Sequence, residues 1–248
     1  MMKPREFFGA ITIASMMLSL SGCGPGPETE QSQAREPAPP LVEEQATVLS
    51  DEQLTELVSR SYQYVAMYNV TNKVALKQGG WNSVEADTEL KDHTMKDIAR
   101  PNNDTLYITA IIDLRTDPVI LEMPAFDSEY VSLMVTGYDH YVNVPMTTRL
   151  EDFEKPEKML LWSERTKGYG GEPVEGVDRI FETSGDFVSA VLRIMPHARD
   201  HERFERIIGQ MEQVKVATLS EVRGDPAKPI NDIEFPPVGQ RDADIFEN

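Results

Sequence analysis

The densest cluster of side chains able to do chemistry is Arg100-Pro101-Asn102-Asn103-Asp104-Thr105-Leu106-Tyr107. It stands directly before Leu106–Leu114, a run rich in β-branched and aromatic residues. Pro101 fixes an extended approach, and Asn and Asp side chains bond nearby backbone N–H groups readily. A turn presenting Asp104 and Thr105 at the mouth of a strand follows. There Asp104 can serve as a general base or as a hydrogen-bond acceptor for a ligand. Tyr107 and His140 are the candidate catalytic companions of Asp104, and Arg100, Asn102, Asn103 and Thr105 the candidate ligand contacts. The same residues also suit a plain Asx-rich turn whose carboxylate is neutralised by Arg100 or Arg149, and such a turn needs no substrate.

Histidine spacing raises a metal reading. His93 and His140 with Asp104 would make a hard-metal ligand set, so a divalent metal is the one cofactor left open; none is otherwise predicted. His197 and His201 are four apart. Asp200, however, reads as a helix cap, which leaves His197 outside the helix and removes the shared face. Tyr138-Asp139-His140-Tyr141 combines aromatic faces with polar edges, as sugar-binding surfaces do. On a strand, alternation would put Tyr138 and His140 on one side and Asp139 and Tyr141 on the other. Gly168–Gly171 lacks the strand and helix that a phosphate-binding loop needs around it, and reads as a hairpin or flexible loop.

The elements that must position these residues begin at Ser50. Ser50 and Gln53 form a capping-box pattern, and Leu54, Leu57, Val58, Val65 and Tyr68 recur at helical spacing to about residue 75, before Gly79-Gly80. Short strand-like runs follow at 106–114, 119–123, 130–138, 159–162, 179–182 and 187–195, separated by turn formers at spacings typical of antiparallel sheets. A second helix carries Phe204, Ile207, Ile208, Met211 and Val214 on one face, and from Asp225 the chain is turn-rich, reading as a wrapping tail over 220–248. The fold class is α+β: an antiparallel β-sandwich-like core with flanking helices at the start and near the C-terminus.

Ahead of this single domain, 50–248, the chain has a different character. Lys3 and Arg5 precede an apolar run from Phe7 to Leu20, the layout of a secretory signal, and the run is too short to span a membrane. Leu20-Ser21-Gly22-Cys23 resembles a bacterial lipobox, which implies cleavage after residue 22 and acylation of Cys23. Residues 23–49, rich in Pro, Glu and Gln, read as a disordered tether. Cys23 is the sole cysteine of the 248 residues, so disulfides, a cysteine nucleophile and thiolate metal sites are excluded. Formal net charge is −18, and loss of residues 1–22 leaves 22 basic against 41 acidic residues. Such acidity repels phosphate backbones and excludes nucleic-acid partners. The expected location is a bacterial envelope, lipid-anchored, with the outer membrane facing the periplasm favoured over the inner by Gly24.

The run Arg100–Tyr107 also resembles the RPNNDTLY signature of domain-of-unknown-function family 1254. The resemblance extends over roughly 50–220, through His93, through Asp113, Leu114, Pro118, Val119, Leu121 and Pro124, through Tyr141 and Asn143, and through Thr148-Arg149. It adds Tyr141, Asn143 and Arg149 to the candidate ligand contacts. It implies the fold more than an activity, because the family's activity is not established. Members of that family often continue into a β-rich family-1214 domain, so the resemblance implies either that this chain holds half of a shared site or that a separately encoded family-1214-like second half is its partner. The function expected is binding of a small molecule, glycan or protein; the alternative is a hydrolase or lyase, metal-dependent or not, using Asp104 with His93 or His140.

Overall fold

The computed structural model describes residues 49–96 and 101–230. Two sheets face each other. The first has the order β1(Ser83–Asp87)–β2(Leu106–Asp113)–β8(Phe187–Ile194)–β4(Val131–Gly137)–β5(Val142–Thr147), all antiparallel. The second has the order β7(Arg179–Thr183)–β6(Glu157–Ser163)–β3(Val119–Met123)–β9(Lys215–Thr218), with β6 and β7 parallel. The α+β sandwich expected from the sequence is the fold observed.

Period-two alternation builds the core. Ile108, Leu192, Leu133 and Met146 stand opposite one another across four strands and are all buried. They meet Val119, Leu121, Met159 and Leu161 of the second sheet, and helix α2(His201–Met211) closes one side with Ile207 and Met211. Asp200 caps α2 as read from the sequence, its carboxylate accepting the Arg203 N–H at 3.1 Å. The outer face of the second sheet is sealed as well. Ile120, Leu160 and Leu219 pack with Tyr169 and Trp162 beneath the loop after β6 and the short helix α3(Leu219–Val222). Gly168–Gly171 is part of that cover: a Cβ on Gly171 would meet the Trp162 ring at 2.8 Å.

The outer face of the first sheet is treated differently. Helix α1(Asp51–Lys77) starts at the predicted capping box and ends before Gly79 and Gly80, both at positive φ, where glycine costs least. Its buried residues run from Tyr68 to Ala75. Leu54, Leu57 and Val58, which continue the apolar stripe toward the N-terminus, remain exposed. The helix is anchored at its C-terminal half: Gln78 Nε2 donates to the Thr109 carbonyl, and Asn82 N–H to that of Ile111.

Strands β1, β5 and β9 carry no clear signature in the sequence. β1 and β9 are short and mixed in polarity, and β5 contains Pro145, which is tolerable on an edge strand. The tail is fixed as far as Lys228, whose ammonium meets the buried Asp117 carboxylate at 2.6 Å; residues 231–248 of the expected wrapping tail lie outside the described residues. Leu192→Ala opens a cavity between the sheets and is expected to lower stability by about 2–5 kcal/mol. Urea unfolding followed by circular dichroism should show a lower midpoint with an unchanged slope.

Candidate functional site

Asp104 sits where the sequence reading puts it, on the turn that feeds β2. Its backbone N–H donates to Asn102 Oδ1 at 2.7 Å, closing an Asx turn. The Asn103 and Asp104 side chains are exposed, while Thr105 is buried with its hydroxyl unpartnered among the described residues. Arg100 and Cys23 lie outside the described residues. His93 is exposed on the preceding loop, where its carbonyl accepts from Lys96.

The register shows what stands beside this turn. Asp87, Tyr107, Arg193, Ser132 and Thr147 face one another across all five strands of the first sheet. Ile108, one position on, points into the core, so this row points outward. Arg193 stacks over the Tyr107 ring at 5.6 Å and makes no ion pair among the described residues. Tyr130 Oη lies 3.1 Å from Ser132 Oγ. Thr148 Oγ1 donates to the Glu129 carbonyl and holds the turn carrying Arg149 beside the start of β4. Tyr107, Thr105 and Arg149 thus flank one end of the sheet's outer face, with Arg193 and Ser132 between them.

His140, Tyr141 and Asn143 belong to the other end. Gly137 pairs with Val188, whereas Val131 and Leu106 both pair with Ile194. Six strand residues separate the two levels, about 20 Å at the usual rise. Asp104 and His140 therefore do not share a site, and the candidate pairing of the two, for proton transfer or for a metal, is corrected on that ground. The expected alternation at Tyr138–Tyr141 fails for a local reason. These residues form a tight turn, with Gly137 N–H donating to the Tyr141 carbonyl, Tyr141 N–H to Asp139 Oδ1, and His140 at φ 67°. The turn buries Tyr138 and leaves Asp139, His140 and Tyr141 in solvent. Asn143 Oδ1 accepts from Ser184 N–H at 2.8 Å, which ties the hairpin to the turn before β8.

Tyr138 enters an aromatic cluster under α1. It stacks on Phe187 at 5.4 Å, and Tyr68 meets Phe187 edge-on at 5.2 Å, with Tyr64 and Trp81 around them. Arg115 lies over Phe187 at 4.4 Å and forks onto Asp113, which is wholly buried. The sequence gives no sign of this cluster, because its members are scattered from Tyr64 to Phe187.

Two surface depressions, of about 310 and 540 Å³, are lined by Glu122, Glu157 and Lys158 and by Leu90, His201 and Phe204 among others. Neither includes Asp104 or the Tyr107–Arg193 row. Among the described residues no three His, Cys, Asp or Glu side chains are grouped to hold a metal ion.

What distinguishes the outer face of the first sheet is exposure. Eight of the large apolar side chains left exposed lie on or beside α1, including Leu54, Leu57, Val58 and Tyr62. Five more are Tyr130, Met134, Tyr141, Val142 and Leu150, in and around the β4–β5 hairpin, and among the described residues Val222 alone lies elsewhere. Charge follows the same division. α1 has Asp51, Glu52 and Glu56 against Arg60, Lys73 and Lys77, and Tyr130–Leu150 has Asp139 against Arg149. Both stretches are neutral in a chain of net charge −18.

Burial pushes the Tyr68 and Tyr138 hydroxyls far above the ordinary tyrosine range, and burial, with Asp186, raises Tyr64. A raised folded-state value means stability is full below the unfolded value near pH 10 and is lost as pH rises above it. Unfolding free energy measured from pH 9 to 11.5 should fall, and Tyr138→Phe should fall less steeply over the same window.

Comparison with known proteins places the fold. The family model described as Protein of unknown function (DUF1254) matches residues 81–215. Among solved structures, the VPA0106 protein of Vibrio parahaemolyticus is 24% identical with a TM-score of 0.52, covering 71% of this chain and 41% of its own. An uncharacterized protein from Burkholderia cenocepacia is 15% identical with a TM-score of 0.38, covering 73% of this chain and 46% of its own. The chain thus spans less than half the length of either. No curated protein matches it.

Proposed function

Because the chain belongs to the DUF1254 family, which has no assigned activity to hand down, we propose from its geometry that it is a lipid-anchored envelope module that binds a protein partner. The outer face of its first sheet, together with the exposed half of α1, is the docking surface. The observation that carries this reading is that the exposed apolar side chains gather on α1 and around the β4–β5 hairpin, two stretches that carry no net charge. Tyr, Met and Arg are the residue types enriched in protein interfaces, and Tyr130, Tyr141, Met134 and Arg193 are all exposed there. Surface this apolar marks an interaction site on a soluble domain.

α1 supplies a further argument. Its first half stands clear of the sheet, and an isolated helical stretch of about a dozen residues is marginal in water. No described residue covers Leu54, Leu57 and Val58, and a docked protein would give them burial. The partner proposed is a separately encoded family-1214-like domain.

In this reading acylated Cys23 holds the protein at the membrane, and residues 23–49 act as the tether. More than one acyl chain gives stable anchoring, so Cys23→Ser should move the protein from the membrane pellet to the soluble envelope fraction. Docking is tested by a photo-cross-linking phenylalanine placed at Leu57, Met134 or Glu175 in cells. Adducts of one size are expected from Leu57 and Met134 and none from Glu175, which lies over the sealed second sheet. Equal labelling at all three, or none at Leu57 and Met134, would count against the docking surface.

A further inference from the structure

Arg193 occupies the centre of the outward row and is the residue from which a ligand chemistry can be read. In an acidic chain most guanidinium groups on the domain find carboxylates: Arg115 holds Asp113, Arg165 holds Asp186, Arg179 holds Asp152 and Glu157, and Arg206 holds Asp127. Arg193 is exposed, stacked over Tyr107, and has no carboxylate partner among the described residues. The nearest carboxylate on its row, Asp87, is two strands away and taken by Lys91 at 2.7 Å. Asp87 therefore does not fold back onto Arg193.

The neighbours of Arg193 are hydroxyls and apolar surface. Ser132 stands directly opposite on β4, in contact with Tyr130 Oη, and Thr147 follows on β5. The next outward row brings Val191 and Met134 side by side. A guanidinium presents paired N–H groups whose spacing matches the two oxygens of a carboxylate, and the Tyr107 ring lies against its cationic centre. The hydroxyls can donate to whichever oxygen remains.

We propose that Arg193, Tyr107 and Ser132 form a carboxylate-binding site, in which the Arg193 fork takes the carboxylate of a ring-sized organic acid and the ring body lies over Val191 and Met134. The inference rests on the docking-surface reading only for the face it occupies; a free organic acid or an acidic sugar unit would be recognised by the same chemistry.

The test uses the full chain in detergent with ¹³C-methyl methionine, at fixed ionic strength, titrated with sodium benzoate, sodium glucuronate and sodium chloride. The Met134 methyl signal is expected to move saturably with one or both carboxylates, in the millimolar range, and not with chloride, while the buried Met159 signal stays still. Saturation by benzoate alone identifies an apolar acid, and by glucuronate a sugar acid. Arg193→Gln should weaken binding at least tenfold, and Arg193→Lys should weaken it severalfold, by keeping the charge and losing the fork. No saturable shift, or a shift that Arg193→Gln leaves unchanged, overturns the site. Cross-linking from Leu57 is indifferent to this result, so the two readings fail separately.

Discussion

The placement of α1 depends on one buried carboxylate. Asp113 ends β2 on the outward side with no solvent exposure, and its oxygens are held by the Arg115 side chain and backbone N–H. Its own N–H donates to Asn82, at the start of β1. Arg115, turned inward by that pairing, lies over Phe187, and Phe187 is the ring that Tyr68 and Tyr138 meet. Removing one member of a buried ion pair leaves the other uncompensated, at a cost of about 3–5 kcal/mol. The helix, the β1 hairpin and the β4–β5 turn thus share one electrostatic anchor at one end of the sheet. Among the described residues the other end is left free of cover.

That asymmetry explains how the two sheets differ. The second sheet spends its outward apolar residues on a covering loop and a short helix, so its face is closed within the chain. From the described residues the first sheet receives cover along part of its length only. Arg193 stays exposed, and Tyr107 and Ser132 only half-buried, with α1 held at the level of Phe187, some 20 Å along the strands.

Much of this was legible from residue order. The Ser50 and Gln53 cap, the Asp200 cap and the runs at Leu106–Leu114 and Phe187–Met195 announce themselves through chemistry that acts over three or four residues, or through a period of two. The Asx turn at Asn102–Asp104 is of the same kind. What stayed hidden depends on pairing between distant strands. β1, with its alternation of Ser, Glu and Asp, becomes a strand because β2 offers it a ladder. The row through Arg193 exists only once β2, β8 and β4 are in register, and nothing near Arg193 in the sequence foretells Tyr107 or Ser132. The apolar stripe of α1 was visible, but a stripe tells which side is greasy and not how much of it finds cover. His140 was drawn toward Asp104 by residue type alone, and the length of the strands between them separates the two.

Pro145, on the outermost strand of the open sheet, has a bearing on how safely such a face can be kept. A protein that leaves an apolar surface uncovered beside an unpaired strand invites its own copies to extend the sheet edge to edge. Proline has no N–H to offer an incoming strand. With Pro145 midway along β5, growth by backbone addition is interrupted there, and recognition on this side falls to side chains, which can discriminate one partner from another where a bare backbone cannot.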